Sequence, residues 1–241
     1  MVKNSQALTA CQLGEGYLSD LRQLGGEDIR FITDKMPGNY MNIGFISTIL
    51  PQAKIINIKR EPLDSCLSCY FQYFAQVMPF SRNLTYAGQY YRDYLRIMEH
   101  WEEVLPGKVL TINYSDMVDD HEGTTRKMLD FIGLDWDESC HKFQKVERSV
   151  KTASSWQVRQ PIYTSSLARW KNYAPYIGEL ITALGDDLTP EVREWLEKEG
   201  HMPEPQAEAS KPVAKKEKSK KATTKSPAAK KTPPKVNVVV S

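Results

Sequence analysis

Two places in the chain put cations where an anion could be held. One is Thr33-Asp34-Lys35, at the end of the apolar run Arg30–Thr33. The other is Arg60, which closes the run Lys54–Arg60 and is followed by Glu61-Pro62-Leu63-Asp64-Ser65-Cys66-Leu67-Ser68. An Arg side chain offers phosphate a planar, bidentate fork. A helix opening just behind it would add free N–H groups and the positive end of a dipole, and Ser65 and Ser68 would add hydroxyl donors. These residue types describe an anion site, and a phosphate is the anion they suit. The same letters also allow a plainer arrangement, with Arg60 paired to Glu61 or Asp64 and the serines capping the helix. Spacing alone leaves both open.

The other chemically suggestive residues lead less far. Cys66-Leu67-Ser68-Cys69 is a CxxC, but no second Cys or His pair stands at zinc spacing, and its place at a helix start fits buried free thiols better. The four His (His100, His121, His141, His201) form no cluster, so no metal is expected. Tyr90, Tyr91, Tyr94, Met98 and Trp101 recur at helical spacing and read as core packing. Glu122-Gly123-Thr124-Thr125-Arg126 has the letters of a phosphate loop but opens a helix without a strand immediately before it. No GxxxxGK[ST] occurs.

The elements that must position the cations alternate. The pattern predicts helices over 4–25, 39–50, 65–76, 84–104 and 119–132, strands over 30–33, 54–60 and 108–114, and one or two helices within 174–199 with Pro190 in a first turn. Strands that are near-continuous in Ile, Val and Leu, with a helix between each, imply right-handed crossovers and a parallel sheet covered on both faces. In such an α/β sheet, ligands gather at the carboxyl ends of the strands, where Lys35 and Arg60 stand. Residues 140–180 follow no period and are rich in Trp, Tyr and polar side chains, as long functional loops often are.

Charge divides the chain unevenly. Of 32 Lys+Arg and 30 Asp+Glu, residues 203–241 hold ten Lys against three Glu, a net +7, which leaves −5 for residues 1–202. The reading is an α/β domain over 1–202 and a Lys/Ala/Pro-rich disordered tail over 203–241, too poor in apolar residues to offset its ordering entropy. The closing VNVVVS has strand propensity but no neighbouring partner in the sequence. The tail could bind polyanions without specificity or simply be a solvated extension. Four Cys in 241 residues make no disulfide framework. No apolar run approaches the roughly 18 residues of a membrane span. A cytoplasmic protein without a membrane partner is expected.

The run Arg60-Glu61-Pro62-Leu63-Asp64-Ser65-Cys66-Leu67-Ser68-Cys69-Tyr70 has the form RxPxDxxxSxY. It resembles the 3′-phosphate-binding motif of sulfotransferases, enzymes that use 3′-phosphoadenosine 5′-phosphosulfate (PAPS). Asp34-Lys35-Met36-Pro37, Ile112-Asn113-Tyr114 and the stretch Thr152–Trp170 extend the resemblance in order over about residues 12–183. Together they are similar to the C-terminal sulfotransferase domain of bacterial tetratricopeptide sulfotransferases and, more distantly, to tyrosylprotein sulfotransferases. The resemblance implies a P-loop-like α/β fold and PAPS as co-substrate, with no metal. The acceptor would carry a hydroxyl: a peptide tyrosine, a carbohydrate or a small alcohol. By the same resemblance Arg60 and Ser68 would grip the 3′-phosphate, Lys35 would stabilise the transferring sulfonate, and Ser154 would assist from the other side. Tyr114 would contact the adenosine. The segment Ser154–Tyr163, with Gln157 and Arg159, would close over the nucleotide, and Arg169 would reach a phosphate. Ser154 is preferred to Ser155 on the register through Gln157-Val158.

One departure stands out. The family opens with a strand, a P-R-S-G-T-[ST] loop that cradles the 5′-phosphosulfate, and then the base that deprotonates the acceptor; none of the 241 residues follows that pattern. The sequence therefore reads as the C-terminal part of the domain, lacking a central strand and impaired or inactive on its own. The other functions it allows are a non-catalytic nucleotide- or partner-binding remnant and a carrier for a basic, polyanion-binding tail.

Overall fold

The computed structural model describes residues 9–25, 31–74, 76, 78–145, 167–204 and 237–240. Four parallel strands lie in the order β1-β4-β2-β3: β1 is Phe31–Asp34, β2 Lys54–Lys59, β3 Val109–Asn113 and β4 Asn237–Val240. The helices are α1 (Ala10–Gly25), α2 (Ile43–Ile49), α3 (Pro62–Phe71), α4 (Leu84–Val104), α5 (Tyr114–Asp119), α6 (His121–Ile132), α7 (Gly178–Leu184) and α8 (Pro190–Lys198). The expected α/β class, a parallel sheet with helices on both faces, is what the chain forms.

Period-two alternation sends neighbouring strand residues to opposite faces. Ile55 joins Ile43, Leu50, Ala53 and Met98 beneath α1, α2 and α4, whereas Ile56 and Ile112 pack on the other face against Met128, Phe131 and Ile132 of α6. A third cluster lies among helices: Leu63 and Leu67 of α3, Trp170, Leu180 and Leu184 of α7, and Leu196 of α8. Gly88 lets α4 and α7 meet, since a Cβ there would stand 2.7 Å from that of Ala183.

Local signals explain most boundaries. The Asn83 side chain accepts from the Tyr86 N–H (2.9 Å) to open α4. Asp120 does the same for α6 from Gly123 (2.8 Å), which places the misleading Glu122–Arg126 run inside a capped helix. That helix stops at Gly133, whose φ of 77° needs a residue without Cβ strain.

Two expectations need correction. α3 begins at Pro62, not at Ser65: Pro has no N–H to lose in a first turn, and the Glu61 side chain caps it. The assignment of all of 203–241 to a disordered tail does not hold for Asn237–Val240, which form β4 between β1 and β2. The run of β-branched Val has a partner after all, distant in sequence, in the edges of those two strands. Residues 205–236 lie outside the described ones.

Candidate functional site

The β2–β3 register pairs Lys59 with Asn113, so Arg60 and Tyr114 leave adjacent strand ends side by side. The Arg60 guanidinium stands over the Tyr114 ring, 5.4 Å from its centroid. The backbone here is fixed from α4: the Tyr91 hydroxyl donates to the Arg60 carbonyl (2.6 Å), and the Tyr94 hydroxyl donates to Asn57 Oδ1 (2.9 Å). Burial pushes both phenols above their ordinary range, so both stay neutral donors. The stripe read as packing therefore also holds the strand that carries Arg60.

The start of α3 is not the open set of N–H groups the sequence suggested. The Glu61 side chain accepts from the Asp64 N–H at 2.8 Å, and the Ser65 N–H donates to the Glu61 carbonyl at 3.0 Å. With Pro62 lacking an N–H, the helix start is already served from within. An anion held at this strand end would have to be met by side chains instead. Glu61 Oε1 is buried without a hydrogen-bond partner among the described residues. Burial is the main reason its carboxyl is pushed up to about 7, against the N–H bonds that favour the ion. Ser68 lies exposed further along α3. Cys66 is buried and donates to the Ala87 carbonyl (3.5 Å), and burial pushes both the Cys66 and Cys69 thiols up.

Asp64, 4% exposed, joins this site to a distant segment. Its Oδ2 accepts from the Ala168 N–H (2.7 Å) and its Oδ1 from the Trp170 N–H (3.0 Å), across more than a hundred residues of sequence. Ala168 takes a left-handed conformation (φ 53°) to present its N–H, and Trp170 is buried behind it. Arg169, held between the two bonds, places its guanidinium 5.7 Å from the Phe71 ring centroid and 6.0 Å from that of Tyr173. Phe71 also lines a groove of about 520 Å³ past the end of α3, with Tyr70, Tyr73, Phe74, Met78 and Arg82.

Lys35 is exposed just beyond β1, where Asp34 accepts a hydrogen bond from the Tyr17 hydroxyl. Through β4, Asp34 is level with Ile55, so Lys35 stands about four residues short of Arg60 along the strands. That offset and two strand spacings put the two Cα atoms on the order of 16 Å apart. Thus Arg60, Tyr114 and, through Asp64, Arg169 are tied together, and Lys35 is set apart from them. Ser154, Gln157 and Arg159 lie outside the described residues. Among the described residues no group of three His, Cys, Asp or Glu is arranged to hold a metal, and no helix is long and apolar enough to cross a membrane. Sequence reasoning gave Tyr91 a packing role only and did not foresee the long reach of Asp64. Asp64 stood inside the motif and could have been flagged; Tyr91 had no signal apart from its place in an aromatic stripe.

Residues 3–138 match the model of the sulfotransferase family. Lys35, Arg60, Ser68 and Tyr114 fall inside that match. The chain is 35% identical over 189 residues to an uncharacterised protein of Aquifex aeolicus (strain VF5), covering 76% of this chain. It spans only 25% of the length of that relative. Among solved structures, a sulfotransferase domain from the curacin biosynthetic pathway aligns with a TM-score of 0.47 at 15% identity, over 79% of this chain and 69% of the other.

Proposed function

The chain belongs to the sulfotransferase family, and from that premise we propose that it carries the 3′-phosphate half of a site for sulfuryl transfer from PAPS to a hydroxyl acceptor. The observation that supports this most is the group built at two adjacent strand ends: Arg60, stacked over Tyr114 and anchored through its carbonyl by Tyr91. A guanidinium so placed can meet a phosphate with its fork while the neighbouring ring offers a face to an adenine. Asp64 holds Arg169 near the same helix through backbone bonds to the residues on either side of it, which orders a second cation there. Sulfuryl transfer itself breaks the bond from sulfur to the bridging phosphate oxygen, forms one to the acceptor oxygen and releases the acceptor proton. Like phosphoryl transfer, it depends on positioning and charge stabilisation more than on covalent catalysis. In this reading Lys35 and Ser154 face the sulfonate, and Ser68, Gln157 and Arg159 complete the grip on the nucleotide. The order of the four sequence motifs favours the tetratricopeptide-type, tyrosylprotein-like branch, and the aromatic groove beyond Phe71 is where we place the acceptor, be it peptide tyrosine, carbohydrate or small alcohol.

A second reading is a nucleotide-binding remnant without turnover. The offset of Lys35 from Arg60 favours it. Titration calorimetry with adenosine 3′,5′-bisphosphate tests what the two share. Arg60→Ala should weaken binding ten- to a hundredfold, as the loss of one charge-assisted contact of roughly 1.5–3 kcal/mol requires. Equal affinity in the two proteins would refute the site. Sulfuryl transfer from PAPS by the purified chain separates the readings: a trace at most favours the remnant, and robust turnover favours the enzyme.

A further inference from the structure

Lys35 directly follows Asp34, and residues 29–60 hold no other Asp or Glu. The obvious fate of such a neighbouring pair is an ion pair. An ammonium so engaged would have to give up that partner before it could meet a ligand's sulfonate at full strength. The structure withholds the partner. The Asp34 carboxylate accepts a hydrogen bond from the Tyr17 hydroxyl of α1. Among the described residues no side chain forms an ion pair or hydrogen bond with the Lys35 ammonium, which stands exposed just past the end of β1.

Tyr17 reaches Asp34 because α1 is seated for it. Gly14 is buried, and a Cβ there would stand 2.0 Å from the Ile49 carbonyl oxygen, so α1 can lie against the end of α2 only with glycine at this point. Tyr17 comes three residues later, on the same side of the helix. Its ring and Leu18 pack onto the cluster around Ile43, Ile55 and Met98, which leaves the hydroxyl at the end of β1. Burial first, and then the carboxylate beside it, push the phenol up to about 12, so it stays a donor at any pH the protein would work at. We infer that Tyr17 is a positioning residue for Lys35: by holding the Asp34 carboxylate it leaves the ammonium uncompensated for the sulfonate of PAPS. This rests on the reading proposed above, in which Lys35 faces the sulfonate.

Two measurements on the full 241-residue chain test it. The first needs no nucleotide: the rate at which an amine-acylating reagent modifies Lys35, read by peptide mass spectrometry against the exposed Lys127. Tyr17→Phe keeps the ring and releases the carboxylate to Lys35, so acylation should slow about two- to fivefold, as an exposed ion pair allows. Adding Asp34→Asn to that variant should restore the wild-type rate, which a merely structural Tyr17 would not permit. An unchanged or faster rate in Tyr17→Phe, or a loss that Asp34→Asn does not restore, would overturn the inference. Asp34→Asn alone should match wild type, and a faster rate there would overturn it too, by showing that the carboxylate compensates Lys35 in spite of Tyr17. The second is calorimetry with PAPS and with adenosine 3′,5′-bisphosphate, which lacks the sulfonate. Tyr17→Phe should weaken PAPS by about two- to fivefold and leave the bisphosphate unchanged. Equal effects on both ligands, or none on either, would overturn the role towards the sulfonate. Failure of the underlying reading looks different: wild type and Arg60→Ala would bind the bisphosphate alike, and the acylation rates would then decide alone whether Tyr17 keeps Asp34 from Lys35.

Discussion

At Glu61 a single carboxyl is asked to cap a helix, sit beside Arg60 and lose its water. Desolvation outweighs the two N–H groups that favour the ion, and the carboxyl is pushed from its ordinary 4.5 up to about 7. A raised folded value means that the stability Glu61 contributes is fully present below about pH 4.5 and is lost as the pH rises through about 7. Gln at this position keeps an oxygen for the Asp64 N–H and never ionises. Glu61→Gln should therefore unfold at higher urea than wild type at pH 8, by an amount on the order of 2–3 kcal/mol, and the difference should close towards pH 5. Superimposable urea curves at both pH values would show that the carboxyl is well solvated. The same titration bears on the anion site, because an ionised Glu61 adds a negative charge next to the side chain proposed to hold phosphate.

Between elements, Asp64 is the joint with most at stake. α3 and the turn that begins at Arg169 are brought together by one carboxylate, and by Leu63, Leu67 and Trp170 packed around it. Burial raises the Asp64 carboxyl, and the Trp170 and Ala168 N–H groups pull it part of the way back, so the bonds offset part of the cost of burying the charge. Asp64→Ala would strand the buried Trp170 N–H and release Ala168 from its left-handed conformation. The expected loss is about 2–4 kcal/mol in denaturant unfolding, with bisphosphate affinity falling several-fold as Arg169 loses its place. A change below about 0.5 kcal/mol would mean that the packing alone holds the two elements.

For the molecule as a whole, charge and topology pull the C-terminal region into two roles. Its ten Lys give residues 203–241 a net +7 against −5 for the remainder, while its last described residues belong to the sheet. Removing everything after Met202 should change both properties at once. The truncated chain should no longer be retained on a cation exchanger at pH 7 and should bind an anion exchanger instead. It should also self-associate on size exclusion, because the edges of β1 and β2 are then open to pairing. A truncated chain that stays monomeric and keeps the melting temperature of the full protein would show that β4 contributes nothing to the sheet.

The sequence alone determined what depends on short-range chemistry. The runs at 54–59 and 109–113 became strands because they are short, rich in β-branched Ile and Val and bounded by breaks, and α4 came out over 84–104 because its aromatic period and the cap at Asn83 agree. Arg60 and Tyr114 could each be placed at the end of a strand, but that the two strands are neighbours and bring these residues side by side was decided by the sheet. Other features were fixed only by tertiary contacts. The motif lettering left open how Glu61 and Asp64 would be used, and the structure gave one to the helix cap and the other to a segment over a hundred residues away. Tyr91 could not be told from its packing neighbours until Arg60 had a position. The Val238–Val240 run carried strand propensity without a stated partner, because the pairing edges lie about 180 to 210 residues earlier in the chain and a strand's partner is a property of the sheet, not of the strand.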